Sequence, residues 1–157
     1  MLALTLATLI LTSPDLRPGA PVPKAFVYGE CGGANRTPRL RWSGTPAGTQ
    51  ALALTMHDPD APRPGGWTHW LVYAIPPRAA NLGSALPPDA FAGRNDFGAV
   101  GYGGPCPPPG PAHRYIFRLD ALDAHLPLST DTSYERYQRL RRGHVLASSV
   151  LQASYGH

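Results

Sequence analysis

Two stretches of this 157-residue chain concentrate the side chains able to do chemistry. The first runs His57-Asp58-Pro59-Asp60-Ala61-Pro62 and continues as Gly66-Trp67-Thr68-His69-Trp70. The second runs from Gly103-Gly104-Pro105-Cys106-Pro107 through further prolines to Ala112-His113-Arg114-Tyr115. A carboxylate beside an imidazole orients the ring and favours its protonated form. Two imidazoles, His69 and His113, can then donate to an anion together with backbone N–H groups. Trp67 and Tyr115 offer apolar walls with polar tips. This chemistry suits a small anionic ligand, a phosphate monoester or headgroup.

These residues need a frame. Asp58 and Asp60 follow the run Ala51–Met56 (ALALTM), which stops at Pro59. His69 opens the next run, Thr68–Ile75 (THWLVYAI), and His113 opens a third that ends at Leu122. If the first two runs pair as a hairpin, the connecting loop returns Asp58 to the neighbourhood of His69. The prolines fix φ, so the loops around these groups lose little entropy on binding. Both faces of Thr68–Ile75, His69/Leu71/Tyr73/Ile75 and Thr68/Trp70/Val72/Ala74, are mostly apolar, which predicts a strand covered on both sides. In the third run His113, Tyr115, Phe117 and Leu119 share one face, and Arg114, Arg118 and Asp120 the other.

The flanking segments are less regular. Leu4, Leu6, Leu9 and Leu11 alternate weakly as a first strand. Residues 14–50 are so punctuated by proline and glycine that only short extended pieces fit, Lys24–Tyr28 and Leu40–Trp42. From Thr132 to Ala153 proline disappears and the spacing becomes helical: Tyr134, Tyr137, Leu140, then Val145, Leu146, Val150. Thr132 or Ser133 caps the start, Gly143 breaks or kinks the run, and Arg136, Arg139 and Arg142 form a solvated face. The order predicts one mostly-β domain over residues 1–157, an antiparallel β-sandwich with C-terminal helices.

Composition narrows the class. Hydrophobic residues at 43% and charged residues at 15% describe a soluble globular protein, not a disordered one. The net charge of +4 is carried by scattered arginines, Lys24 being the only lysine, and no nucleic-acid motif accompanies it. The apolar start, Met1–Leu11, is too short to span a bilayer and lacks the basic beginning of a signal peptide. These features predict no nucleic-acid partner, no integral membrane segment and a cytoplasmic location, with a periplasmic or secreted one as the alternative. Cys31 and Cys106 are too few for a disulfide framework or a zinc site. Both lie in glycine-rich loops that could meet near the pocket mouth. The sequence leaves their pairing open, and a bond between them would favour an extracytoplasmic location.

The motifs taken together resemble the phosphatidylethanolamine-binding family, in its bacterial, kinase-inhibitor-like branch. The resemblance is carried by DPDAP at 58–62, the Trp67-x-His69 pair before a strand ending Ile75-Pro76, GPCPPPG at 104–110 and His113-Arg114-Tyr115. It extends through Leu11-Thr12-Ser13-Pro14, Gly33-Ala34-Asn35, Pro38-Arg39-Leu40-Arg41-Trp42, Asn95-Asp96-Phe97-Gly98, Gly101-Tyr102-Gly103-Gly104 and His144-Val145-Leu146-Ala147. The resemblance implies a Greek-key β-sandwich and a small anion pocket made of Asp58, Asp60, Pro62, Trp67, His69, Pro107, His113 and Tyr115. Asp58 would orient a histidine, and Asp60 would accept from the ligand or from loop N–H groups. It also implies no metal, no cofactor, no established catalysis, a cis Ala61–Pro62 bond, and protein partners such as kinases, proteases or transcription complexes. The stretch Ala79–Arg94 is short for the family, so partner identity does not transfer. Two rival readings use the same residues. One is a metal site on Asp60, His69 and His113, which lack a compact motif such as HExxH. The other is a hydrolase with Cys106 as nucleophile and His113 as base, in a chain without GxSxG.

Overall fold

The structure is a computed structural model and describes residues 7–157. Its strands in chain order are β1 (Ile10–Thr12), β2 (Leu40–Ser43), β3 (Ala51–Asp58), β4 (Trp67–Ile75), β5 (Asn81–Leu82), β6 (Phe91–Ala92), β7 (His113–Leu122) and β8 (Val145–Tyr155), with one helix, α1 (Tyr134–Leu140). They form two antiparallel sheets, β1-β2-β5 and β6-β4-β3-β7-β8. The chain leaves β4 on one side of β3 and returns as β7 on the other, a Greek-key path that makes β3 the central strand of the larger sheet. Leu11, Leu40, Trp42 and Leu82 of the small sheet pack against Leu54, Met56, Trp70, Val72, Phe117 and Leu119 of the large one. All eight residues of β3 are buried, because the strand has a neighbour on each side and cover on each face. Leu4 and Leu6 of the expected first strand lie outside the described residues. Among those residues no helix is long and apolar enough to cross a membrane.

The pairing of β3 with β4 is interrupted twice. Met56 faces Trp70 while His57 faces Thr68, and Leu54 faces Val72 while Leu52 faces Ile75. Each step leaves one extra residue on β4, which is the definition of a β-bulge. Ala74, in the second, takes φ +53°. As a result Ile75 joins Trp70 and Val72 in the inner core, not Leu71 and Tyr73 as simple alternation predicts. The first bulge inserts His69, with consequences for the site.

Two segments differ from the sequence expectation. Lys24–Tyr28 is not extended; the chain makes 3-10 turns at Lys24–Phe26 and Gly29–Cys31, closed by Gly32 at φ +79°. The C-terminal region holds one helix, not two. Ser133 caps α1 by accepting from the Arg136 N–H, and Gly143 at φ +79° follows its last turn. Val145–Ala153 then runs as a strand along β7. Its apolar residues fit a period of two as well: Ala147, Ser149, Leu151 and Ala153 turn inward while Leu146, Ser148, Val150 and Gln152 stay exposed. The open edge of β7, which no helical pattern can satisfy, decides the outcome.

The outer face of the large sheet is closed by α1, whose Tyr137 packs on Ala53, Leu71, Tyr73 and Leu122. Asp120 anchors it. This buried carboxylate accepts from the Tyr137 hydroxyl at 2.7 Å, from Ser148 Oγ, and from the Arg141 guanidinium at 3.3 Å. Asp120→Ala leaves those donors without their acceptor and is expected to destabilise the fold by about 3 kcal/mol. Asp123→Ala, which breaks an exposed pair with His144, should stay within about 0.5 kcal/mol. Urea unfolding of both variants checks the contrast.

Candidate functional site

The ends of β3, β4 and β7 open on the inner side of the large sheet into a cavity of about 240 Å³. Of the eight residues expected from sequence, Asp58, Pro62, Trp67, His69, Pro107, His113 and Tyr115 line it. Asp60 does not. Its carboxylate turns outward and accepts from the Arg114 backbone N–H at 2.9 Å and from the guanidinium at 2.9 and 3.0 Å. The Arg114 guanidinium holds it down to about 2. Asp60 therefore fastens the loop after β3 to the start of β7.

Asp58 ends β3 and is almost fully buried. Oδ1 accepts from the Asp60 N–H at 2.8 Å, and Oδ2 bonds His113 Nδ1 at 2.7 Å. With Asp58 ionised, Nδ1 carries the proton, and Nε2 is the ring's remaining polar atom at the cavity. The loop that closes this corner depends on Gly66, at φ +75°, where a Cβ would lie 2.3 Å from the Asp58 carbonyl oxygen. The Ala61–Pro62 bond is trans, contrary to the expectation from resemblance; the reversal is made by Gly65 and Gly66, both at positive φ.

His69 owes its position to the first bulge of β4. In an unbroken strand it would follow Leu71 and Tyr73 to the outer face. Inserted as an extra residue, it packs edge-on against Tyr115, an inner-face residue of β7, with ring centroids 5.1 Å apart. His69 Nδ1 meets the Gly103 carbonyl oxygen at 2.7 Å. Burial pulls its pKa to about 4, opposed only in part by the Gly103 and Gly104 backbone and the Asp58 charge. The ring is therefore neutral near pH 7, donates from Nδ1 to Gly103, and keeps a lone pair on Nε2. The expectation of two imidazolium donors is corrected: His69 is an acceptor, because desolvation outweighs the neighbouring carboxylate.

Two residues that line this cavity carry further polar atoms. Tyr115 Oη and Trp67 Nε1 are buried and have no hydrogen-bond partner. Burial raises the Tyr115 phenol far above its usual value, so it remains an O–H. Phe97 forms another wall, stacked on Tyr28 at 4.0 Å and edge-on to Trp67 and His69. Phe97 and Glu30, at the mouth, line the cavity without having been singled out from sequence. Phe97 belongs to the Asn95-Asp96-Phe97-Gly98 motif, which could have signalled it; nothing in the sequence marks Glu30 except its neighbour Cys31.

The mouth is tied by a disulfide between Cys31 and Cys106, whose Cα atoms are 5.4 Å apart. The two loops are also laced by Tyr28 N–H to the Pro105 carbonyl and Gly104 N–H to Asn35 Oδ1. Joined in this way, Cys106 has no thiol to act as a nucleophile. Among the described residues no three His, Cys, Asp or Glu side chains cluster as a metal site would need.

Comparisons with known proteins agree over most of the chain. The family profile described as Phosphatidylethanolamine-binding protein matches residues 12–156. A UPF0098 protein of Methanothermobacter thermautotrophicus is 44% identical over 131 residues, covering 80% of this chain and 85% of its own. The crystal structure of Escherichia coli YbcL, described as a member of the mammalian PEBP family, superposes with a TM-score of 0.90 at 35% identity, covering 96% of this chain and 99% of its own. A PEBP homologue from Chlamydia trachomatis gives a TM-score of 0.84 at 34% identity, covering 96% and 99%.

The buried histidine makes stability depend on pH. An unfolded His69 takes up a proton below about 6.5, whereas the folded one resists until about 4. The unfolded state thus binds more protons across that window, and stability falls as pH falls from 6.5 to 4, by roughly 3 kcal/mol for this group. His57, also held low by burial, adds in the same direction. Urea unfolding at intervals from pH 7 to 4 should show the decline, and His69→Gln should make it shallower. The disulfide closes a loop across a separation of 75 residues, so its reduction is expected to cost about 4 kcal/mol by chain entropy. Unfolding midpoints with and without reductant measure this.

Proposed function

The chain belongs to the phosphatidylethanolamine-binding protein family, and from that premise and the pocket we propose that it binds a small anionic, phosphate-like ligand. One observation carries the reading: Trp67 and Tyr115, whose N–H and O–H are buried without a partner, line the same cavity as His113, which Asp58 orients. Buried polar groups left unpaired cost free energy, and a ligand's oxygens can satisfy them. In this reading Tyr115 and Trp67 donate to the ligand, and His113 donates from Nε2 in its imidazolium form with Asp58 as counter-ion. Pro62, Pro107 and Phe97 exclude water and shape the cavity. Its volume suits a headgroup-sized molecule more than a whole lipid.

Membership supports ligand binding and protein partners in general, and a regulatory partner remains part of the proposal. The Cys31–Cys106 disulfide supports the periplasmic or secreted alternative over a cytoplasmic location, because such bonds persist in oxidising compartments.

Titration calorimetry with phenyl phosphate tests the pocket. His113→Ala should weaken binding roughly ten- to a hundredfold, and Tyr115→Phe about tenfold, each removing a donor of the charge-assisted kind. Wild-type affinity in both variants would move the site elsewhere.

A further inference from the structure

The hydrogen-bonding character of the cavity is mixed, and the mixture discriminates between ligands. Trp67 and Tyr115, which line it, carry unpartnered donors, and His113 can add a third. His69 presents an acceptor. It commits Nδ1–H to the Gly103 carbonyl, so the ring's other nitrogen holds a lone pair at the cavity the residue lines. The groups packed around it leave this arrangement no easy exit. They are His57 and Asp58 on β3, Tyr115 and His113 on β7, and Phe97 and the Gly103 and Gly104 backbone on the loop, with Glu30 at the mouth. Asp58 already accepts from Asp60 and His113, and burial opposes a proton on His69. A fully ionised oxyanion would set its own lone pairs against that of His69 Nε2, leaving a buried acceptor unmatched.

We propose that the pocket selects oxyanions that keep one acid proton: phosphate monoesters bound as their monoanions, with the P–OH donating to His69 Nε2. The remaining oxygens accept from Trp67, Tyr115 and His113. The inference rests on the anion-binding reading above and sharpens it. Sulfate monoesters, and phosphodiesters such as those linking most phospholipid headgroups, carry a similar shape and charge but lack the proton. They are disfavoured.

Calorimetry on the full chain with phenyl phosphate, phenyl sulfate and methyl phenyl phosphate, from pH 5.5 to 8, separates these cases. All three probes meet the same protein donors, so the ratio of their affinities isolates the acid proton. At pH 5.5 phenyl phosphate should bind roughly tenfold or more tightly than the other two. Above its second pKa, near 6, that advantage should shrink by about tenfold per pH unit. Equal affinities at pH 5.5, or an advantage that persists to pH 8, overturn the selection while leaving the anion pocket standing. Failure of all three probes to bind removes the anion pocket and the selection together. Nitrogen NMR of labelled histidine should find His69 as the Nδ1–H tautomer between pH 6 and 8; the Nε2–H tautomer overturns the proposal.

Discussion

The Asp58 carboxylate is withdrawn from water at the end of the central strand, and much of the site follows from how its two oxygens are satisfied. An ionised carboxylate in such a place is tolerated only where donors meet it. One oxygen takes the Asp60 N–H, which forces the chain into a tight turn as β3 ends. The other takes His113 Nδ1, which ties β7 to that turn and fixes the tautomer of the ring. Asp60, turned outward, repeats the tie through Arg114. A single buried charge thus couples strand termination, sheet register and the chemistry of a histidine.

Irregularity in β4 supplies what a regular strand cannot. A strand has two faces, and a pocket at the end of a sandwich must draw on the inner one. Trp67 and Trp70 both belong to that face, and only an inserted residue lets His69 join them. The second bulge, at Ala74, brings Ile75 to the inner core beyond. Bulges beside sites are a common means of re-aiming a side chain. Here the same insertion buries the imidazole, which removes its charge and turns it from donor to acceptor.

The loops over the cavity are held by several independent ties: a disulfide, one backbone hydrogen bond, one from Gly104 N–H to the Asn35 side chain, and a stacked Tyr28–Phe97 pair. Glycine permits the closest of these approaches. At Gly104 a Cβ would sit 2.1 Å from the Phe26 carbonyl oxygen. A rim fixed before binding spares the ligand the entropy of ordering it. No protein group pairs with the buried Trp67 and Tyr115 polar atoms, a local cost of the kind that accumulates at functional sites.

What the amino-acid order determined on its own was the part written in local patterns. Alternation in Ala51–Met56, Thr68–Ile75 and His113–Leu122 located the strands that frame the cavity, and acidic, imidazole and aromatic residues at their ends marked five of its lining residues, the resemblance adding Pro62 and Pro107. Proline and glycine marked the loops, and Ser133 the start of the helix. The tertiary structure decided the rest. Val145–Ala153 became a strand because β7 offered an edge; an apolar spacing that suits both periods cannot choose between them without a partner. Asp60 lies outside the pocket because Arg114, 54 residues further along the chain, holds it. His69 lost its charge because burial, a property of everything packed around a ring and of nothing beside it in the chain, outweighed the carboxylate that proximity in sequence had promised as its counter-ion.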